Sequence, residues 1–401
     1  MKILIYTFGL VLSFSMYGQN QWIIKDSIQG KPRSVASSFV LNGEGYAICG
    51  LDIDGFRRKI YSYSYWENDW QNQSSLGGDN GDGLERGSAS AFAIGNKGYV
   101  CLGQGVTNPF FGDLWEYDPL TNAWTQKANF LGSPRRQGIG FAIDSLGYVG
   151  LGIDANGFCK DMFKYDPTIN TWTQLNDFEG SARKEAVGFE MGGFGYVGTG
   201  DDGVLKKDFW QYDPTNDSWA QKPEFPGTAR KGAAGWGMFP TAFICTGEDI
   251  DFNYSNDLWE YNIYSESWVQ RANLIGPGRT NATAFVIQDL AFLGTGYGVN
   301  GFLKDFYAYS PILGLEAHKE LFNVCVYPNP STDIVRIKVT TKDLHIKIFD
   351  MNGKEVSDLL KIDANSEEFI ISRNNIISGT YRVQLFHKDL GIVAIQNITY
   401  L

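Results

Sequence analysis

Six arginines recur along the first three quarters of the chain, and a guanidinium binds carboxylates or phosphates through a rigid fork of donors. We take these arginines as candidate ligand-binding residues for an anion such as a sugar acid. Their recurrence also fits a second role, in which each arginine anchors a loop or pairs with an acid of its own repeat, and recurrence favours that role. The six are Arg33, Arg86, Arg135, Arg183, Arg230 and Arg279.

Five phenylalanines in the segments that follow these arginines are further candidate ligand-binding residues. Exposed rings stack on sugars or become buried in protein interfaces. The same rings could instead hold each loop against its own repeat. The five are Phe56, Phe110, Phe158, Phe252 and Phe302.

The sequence contains no nucleophile elbow, no P-loop and no zincin motif. The three histidines stand at positions 318, 345 and 387, beyond the last arginine repeat, which excludes a Ser-His-Asp set among the repeats. Any enzyme here would depend on Glu, Asp, Arg or Tyr as acid and base. We expect no catalysis, we name no catalytic residue, and we predict no cofactor and no metal site.

The spacing around the arginines indicates what positions them. Each arginine is followed after six residues by an aromatic, after thirteen by a second aromatic and after seventeen by a glycine, as in Arg135, Phe141, Tyr148 and Gly152. One repeat is about 48 residues long and contains four β-like runs. Four-stranded units at this period are typical of β-propeller blades, so we predict an all-β propeller of six blades over residues 19–312.

Trp22 predicts how the ring of blades closes. Trp124, Trp172, Trp219 and Trp268 each precede the next arginine by eleven residues, and Trp22 precedes Arg33 by the same number. The sixth repeat lacks a tryptophan of its own. We therefore expect residues 20–25 to supply the outer strand of the last blade, which leaves no free edge.

The repeats resemble the kelch family, through a glycine after an aromatic strand and a Tyr165-Asp166-Pro167 turn followed by Trp172. The Gly150-Leu151-Gly152 sequence departs from the double glycine of that family. Because the strands of a blade alternate in direction, the loops between strands two and three and the loops between blades share one face, and these are the long, variable loops. Variable loops on a rigid scaffold are common binding sites, so we expect a glycan or an extracellular protein to bind this face.

Composition sets outer limits on function. The chain has 401 residues, a formal net charge of −11, 20% charged residues and 15% aromatic residues. The aromatic content argues against a disordered chain. The negative charge argues against a nucleic-acid partner, whose phosphates require basic residues.

The two ends of the chain predict an export route. Residues 1–18 have the charged start and apolar run of a signal peptide, which is too short to span a membrane, and no other segment could span one. After a linker at 313–321, residues 322–401 alternate like the strands of a small β-sandwich. This domain resembles the type A C-terminal sorting domain of the type IX secretion system of Bacteroidota, through Tyr327, Pro328, Asn329, Pro330, Gly353, Gly379 and Tyr381.

The sorting-domain resemblance implies that 322–401 interacts with the type IX secretion machinery and that the protein is secreted or held at the outer-membrane surface. We therefore expect a monomeric binding module for a glycan or a protein. The alternative is a carbohydrate-active enzyme of the sugar-acid (sialic acid) mutarotase type, which the kelch family includes.

Overall fold

A computed structural model describes residues 20–311, 324–327, 331–339, 344–350, 356–357, 361–364, 368–373, 378–387 and 391–400. The predicted signal peptide and linker lie outside these residues, as do Pro328, Asn329, Pro330 and Gly353. Among the described residues no helix is both long and apolar enough to cross a membrane. A short 3₁₀ helix lies at Gly78–Asn80.

Residues 20–310 form six four-stranded antiparallel sheets, numbered one to six in chain order. The first strand, β1, is Gln21–Lys25. Sheet one contains β2 (Ser37–Leu41), β3 (Glu44–Ile48), β6 (Ile60–Ser64) and β7 (Asp69–Gln73), with a small hairpin of β4 (Leu51–Asp52) and β5 (Gly55–Phe56) in its loop. Sheet two contains β8 (Ser90–Ile94), β9 (Lys97–Cys101), β10 (Leu114–Asp118) and β11 (Ala123–Gln126). Sheet three contains β12 (Ile139–Ile143), β13 (Leu146–Gly150), β16 (Met162–Asp166) and β17 (Thr171–Gln174), with the hairpin β14 (Ile153–Asp154) and β15 (Gly157–Phe158).

The second half of the cycle repeats this plan. Sheet four contains β18 (Val187–Met191), β19 (Phe194–Gly198), β20 (Phe209–Asp213) and β21 (Ser218–Lys222). Sheet five contains β22 (Ala234–Met238), β23 (Thr241–Cys245), β24 (Leu258–Asn262) and β25 (Ser267–Arg271). Sheet six contains β26 (Thr283–Ile287), β27 (Leu290–Gly294) and β30 (Phe306–Ser310), with the hairpin β28 (Tyr297–Gly298) and β29 (Gly301–Phe302).

Glycines let each sheet pack against the next. In sheet two, a Cβ on Gly98 would overlap the ring of Phe39 from sheet one. In sheet three, a Cβ on Gly147 would overlap the ring of Phe92 from sheet two. The series returns to its start, because a Cβ on Gly45 of sheet one would overlap Phe285 of sheet six. The innermost strands β2, β8, β12, β18, β22 and β26 accordingly neighbour one another in a closed cycle.

Strand β1 completes sheet six from the other end of the chain. It pairs antiparallel with β30, with Trp22 opposite Tyr309. The Trp22 ring lies 5.0 Å from the Tyr309 ring, and its Nε1 donates a hydrogen bond of 2.8 Å to the Ala272 carbonyl of sheet five. This is the pairing that the position of Trp22 in the sequence predicts.

Replacing Trp22 by alanine tests this closure. Trp22 is 7% exposed, so we expect Trp22→Ala to lower the free energy of unfolding by about 3–5 kcal/mol in urea titrations, through lost packing and a lost hydrogen bond. The matched control is Trp66→Ala, since Trp66 is 80% exposed in a turn and should change stability by less than about 0.5 kcal/mol. Equal effects of the two substitutions would contradict the role of β1.

The C-terminal residues form two facing sheets. One has the order β31 (Val324–Tyr327), β32 (Ile334–Val339), β35 (Glu368–Ser372) and β34 (Lys361–Ala364). The other has the order β33 (Leu344–Phe349), β36 (Gly379–His387) and β37 (Gly391–Tyr400). Side chains from both sheets share a buried core that includes Val335, Ile371, Tyr381 and Val383.

This sandwich contacts the turns at one end of sheets five and six. Arg382 Nη2 donates a hydrogen bond of 2.7 Å to Asp289 Oδ1, and the Phe349 ring lies 5.4 Å from the Phe239 ring. These turns join first and second strands, so the contact lies at the opposite end of the sheets from the arginine-bearing loops.

Candidate functional site

The six arginines lie inside the protein, at most 2% exposed. In each repeat Nη1 donates to the carbonyl sixteen residues later, at the end of the second strand, over 2.9–3.3 Å. Each guanidinium also lies over an aromatic ring, such as Phe111 under Arg86 at 3.8 Å from the ring centroid. These contacts join the loop before the first strand to the loop after the second.

Five of the arginines also have a carboxylate partner. The pairs are Arg86–Asp113, Arg135–Asp161, Arg183–Asp208, Arg230–Asp257 and Arg279–Asp305, and in each pair Nη2 donates to Oδ2 over 2.8 or 2.9 Å. Burial alone would raise the pKa of Asp208. The bonds from Arg183 and from Trp210 Nε1 outweigh burial and hold that pKa below its ordinary value.

The arrangement of these pairs favours the structural role of the repeated arginines. In five sheets the donors that a ligand would need are already engaged by an aspartate of the same sheet. A ligand-binding role for the whole set stays a prediction, and the geometry does not favour it. Arg33 of sheet one differs from the others, because Lys59 stands where they have aspartate.

Replacing Asp208 by asparagine tests the buried pair. Asp208→Asn leaves the Arg183 charge buried without a counterion, so we expect unfolding free energy at pH 7 to fall by about 3 kcal/mol. Because the folded-state pKa of Asp208 is lowered, its stabilisation is present above the unfolded-state pKa and is lost as pH falls through the folded-state value. The wild type and the variant should therefore converge in strong acid. Asp177→Asn, at an exposed residue, is the control and should change stability little.

Two residues after each arginine, the backbone forms a ring around the central axis. The N–H of each of these residues donates to the carbonyl of its counterpart in the preceding sheet over 2.7–3.2 Å, and the Val35 N–H closes the cycle on the Asn281 carbonyl. All six have φ between +50° and +60°, which is unusual for a β-branched residue such as Val35. We call this set the axial ring: Val35, Ser88, Gln137, Glu185, Gly232 and Asn281.

The axial ring surrounds the mouth of a central channel, a cavity of about 140 Å³. Ser88 Oγ and Gln137 Oε1 are enclosed and have no hydrogen-bond partner among the residues that the structure describes. Glu185 is nearby, with its side chain 9% exposed and its Oε2 3.8 Å from Lys184 Nζ. Burial raises the pKa of Glu185, although Lys184, Lys231 and a hydrogen bond with Asn281 oppose the shift.

Below the mouth the channel widens to a cavity of about 460 Å³ with walls of mostly small residues from the innermost strands. Glu190 of β18 is the one charged residue among those that line this middle section. Its Oε1 accepts a hydrogen bond of 2.8 Å from the Gly193 N–H. Burial, more than the nearby Asp144 charge, raises the pKa of Glu190 to about 7.

The raised pKa of Glu190 predicts a pH dependence of stability. A carboxyl with a folded-state pKa above its unfolded value stabilises the fold in acid and loses that contribution as pH rises from about 4.5 to about 7. We expect Glu190→Gln to be more stable than wild type at pH 8 by up to about 3 kcal/mol, and nearly equal to it at pH 4.5, in urea titrations. The exposed Glu179→Gln serves as control, and a pH-independent difference for Glu190→Gln would contradict the prediction.

The five candidate phenylalanines divide into two groups. Phe252, at φ +61°, is 72% exposed and Phe158 is 37% exposed, so both rings are available to a ligand. The other three have partners. Phe56 lies against Gly87 of sheet two, Phe110 lies under the Arg136 guanidinium at 5.5 Å, and Phe302 packs edge-on against Tyr297 at 5.2 Å.

The acidic residues of the same loops are engaged by neighbours. Asp52 accepts two bonds of 2.6 Å from Arg57, and Asp249 accepts the N–H groups of Asp251 and Asn253 over 2.9 Å each. Within the part of the chain that the structure describes, no three His, Cys, Asp or Glu side chains are grouped so that they could hold a metal ion.

Sequence reasoning missed the axial ring and the channel carboxyl Glu190. The ring residues differ in type from repeat to repeat, and what they share is backbone conformation. Their constant offset of two from each arginine is the one signal that could have identified them. Glu190 could have been found as the single acid among Val40, Ala93, Ala142, Gly237 and Val286, the residues at the same offset in the other repeats.

Comparison with known proteins identifies one domain and one fold. Residues 325–394 match the family of secretion system C-terminal sorting domains. No curated protein matches the sequence. Among solved structures, the structure of YjhT is similar with a TM-score of 0.61 and 15% sequence identity, covering 71% of this chain and 97% of that one. The chain therefore has an all-β, propeller-like fold followed by a type IX sorting domain.

Proposed function

We propose that residues 20–311 are a six-bladed kelch-type propeller that binds a glycan at the mouth of its channel and has no chemistry of its own. The observation that carries this proposal is a pair of enclosed oxygens at the mouth, Ser88 Oγ and Gln137 Oε1, that have no partner within the described part of the chain. A buried polar atom without a partner is costly, and a hydroxyl-rich ligand would supply the missing donors.

The surrounding loops provide the second component of a sugar site. Sugar rings bind through hydroxyls at their edges and C–H groups on their faces, and an exposed aromatic ring offers a surface for the faces. Phe252 is such a ring, 72% exposed in a loop of sheet five. In the loop of sheet six the Tyr297 ring is 40% exposed and lies 6.3 Å from that of Tyr254.

The sorting domain supports export through the type IX secretion system and implies interaction with its machinery. That route suggests a secreted or cell-surface location. A binding domain joined to such a domain would meet ligands outside the cell. We propose that residues 1–18 are the signal peptide that delivers the chain to the first step of this route.

The alternative is a sugar-acid mutarotase activity at the same mouth. Glu185 favours it, because burial raises the pKa of this carboxyl while Lys184 lies 3.8 Å away. A buried carboxyl with a raised pKa beside a cation has the components for acid-base catalysis on an anionic sugar. The fold accommodates both functions.

A glycan array tests the proposal with variants matched for exposure. We expect Gln137→Ala and Phe252→Ala each to weaken the binding of an array-positive glycan about tenfold or more, as isothermal titration measures. Trp66→Ala is the control for Phe252→Ala, because Trp66 is 80% exposed on the opposite end of the sheets.

Anomer exchange of sialic acid, followed by NMR, distinguishes the two functions. Faster exchange with the wild type but not with Glu185→Gln would favour the mutarotase. A blank array together with a blank exchange assay would overturn the glycan proposal and favour a protein partner.

A further inference from the structure

Sheet one departs from the other five at the buried arginine. Arg33 is 2% exposed, and the hydrogen bonds it makes go to the carbonyls of Lys31 and Cys49. No ion pair joins Arg33 to a carboxylate among the described residues, whereas its five counterparts each hold an aspartate. The aspartate position is occupied by Lys59, whose side chain is exposed.

In sheet six the arginine and a tyrosine together bind a carboxylate. Arg279 Nη2 and the Tyr307 hydroxyl both donate to Asp305 Oδ2, over 2.8 and 2.7 Å. Sheet one repeats the two donors as Arg33 and Tyr61, at the same spacing in the sequence.

The two donors of sheet one also converge in space. A Cβ on Gly30 would lie 2.8 Å from the Tyr61 hydroxyl and 3.2 Å from Arg33 Nη2. In sheet six a Cβ on Gly276 would lie 2.5 Å from the Tyr307 hydroxyl and 2.8 Å from Arg279 Nη2. The Arg33 guanidinium lies over the Tyr61 ring at 4.9 Å, much as Arg279 lies over Tyr307 at 5.6 Å.

We propose that Arg33 and Tyr61 form a binding site for the carboxylate of a ligand, which takes the place that an aspartate occupies in the other five sheets. Lys59 adds a positive charge at the sequence position where the other sheets have the aspartate, whereas the nearby Lys31 is already paired with Asp54. An ion that is bidentate on a guanidinium and accepts a phenol hydroxyl matches a carboxylate in shape and charge.

The site can take a carboxylate from a small acid, from a sugar acid or from a peptide terminus, since all three share this group. It lies between the loop that precedes β2, which carries Arg33, and the start of β6, which carries Tyr61, and neither residue belongs to the axial ring. The inference is therefore independent of glycan binding at the channel mouth.

Lys59→Asp is the decisive variant, because it restores the arrangement of the other sheets. We expect Lys59→Asp to melt at least about 2 °C above wild type in acetate-free buffer, since the new carboxylate pairs with Arg33. Lys207→Asp makes the same change of charge at an exposed residue and should not raise the melting temperature.

Acetate is the probe for binding. At constant ionic strength set with sodium chloride, acetate should raise the melting temperature of wild type and Lys207→Asp more than that of Lys59→Asp. Saturation-transfer NMR should detect acetate on the wild type and lose that signal in Lys59→Asp. A fall in stability for Lys59→Asp, or equal acetate effects in wild type and variant, would overturn the proposal.

Two further measurements identify the source of the carboxylate and separate this site from the channel mouth. Glucuronate and the peptide Ala-Ala, compared at equal concentration, distinguish a sugar acid from a peptide terminus as the better source of the carboxylate. Glu185→Gln should leave the acetate effect unchanged even if it alters glycan binding, so failure at the channel mouth and failure at Arg33 give different results.

Discussion

A buried guanidinium positions the loops on which the rest of this structure depends. It joins the loop before the first strand to the end of the second strand and, in five sheets, to an aspartate that begins the third. In those five sheets the charge is buried and the aspartate balances it, so removing the aspartate would leave an unbalanced charge in the interior. The buried arginine also fixes the position of the axial ring, because each ring residue lies two positions after an arginine. The ring residues in turn surround the mouth of the channel.

The same arginines explain how much the sequence could predict. Their offsets to the aromatics and to Trp22 are set by strand length and pairing, so the repeated sheets and the closure by β1 were accessible from spacing alone. The partner of each guanidinium was not, because the aspartate lies 25–27 residues away, beyond a loop of variable length. From the sequence alone, the six arginines could bind a ligand or pair with aspartates of their own sheets. The three-dimensional course of the loops between the second and third strands decides between these roles. The residues of the axial ring share a backbone angle but differ in side chain, as Val35 and Gln137 do, so their residue types do not mark them and only their constant distance from the arginines could.

The features that point to function are departures from the repeat. Five sheets carry the arginine–aspartate pair and one carries Lys59. Five of the innermost strands present small or apolar residues to the channel and one presents Glu190. The axial ring has one carboxyl, Glu185, and Phe252 is the most exposed aromatic of the variable loops. The repeated sheets pack in the same way throughout the cycle. A substitution in one sheet can therefore add a charge or a hydrogen-bonding group at that sheet without altering the packing of the others.

Closure by β1 has a kinetic consequence. The Asn20 side chain accepts a hydrogen bond from the Tyr309 hydroxyl across 289 residues, and a contact of such long range forms only after most of the chain is available. Until then sheet six has an unprotected edge at β30 and the indole of Trp22 has no pocket, so both are exposed to other chains. Strand β1 must therefore stay unpaired until β30 is available, although it is the first of the described strands in the chain and β30 is the last strand of the six repeated sheets.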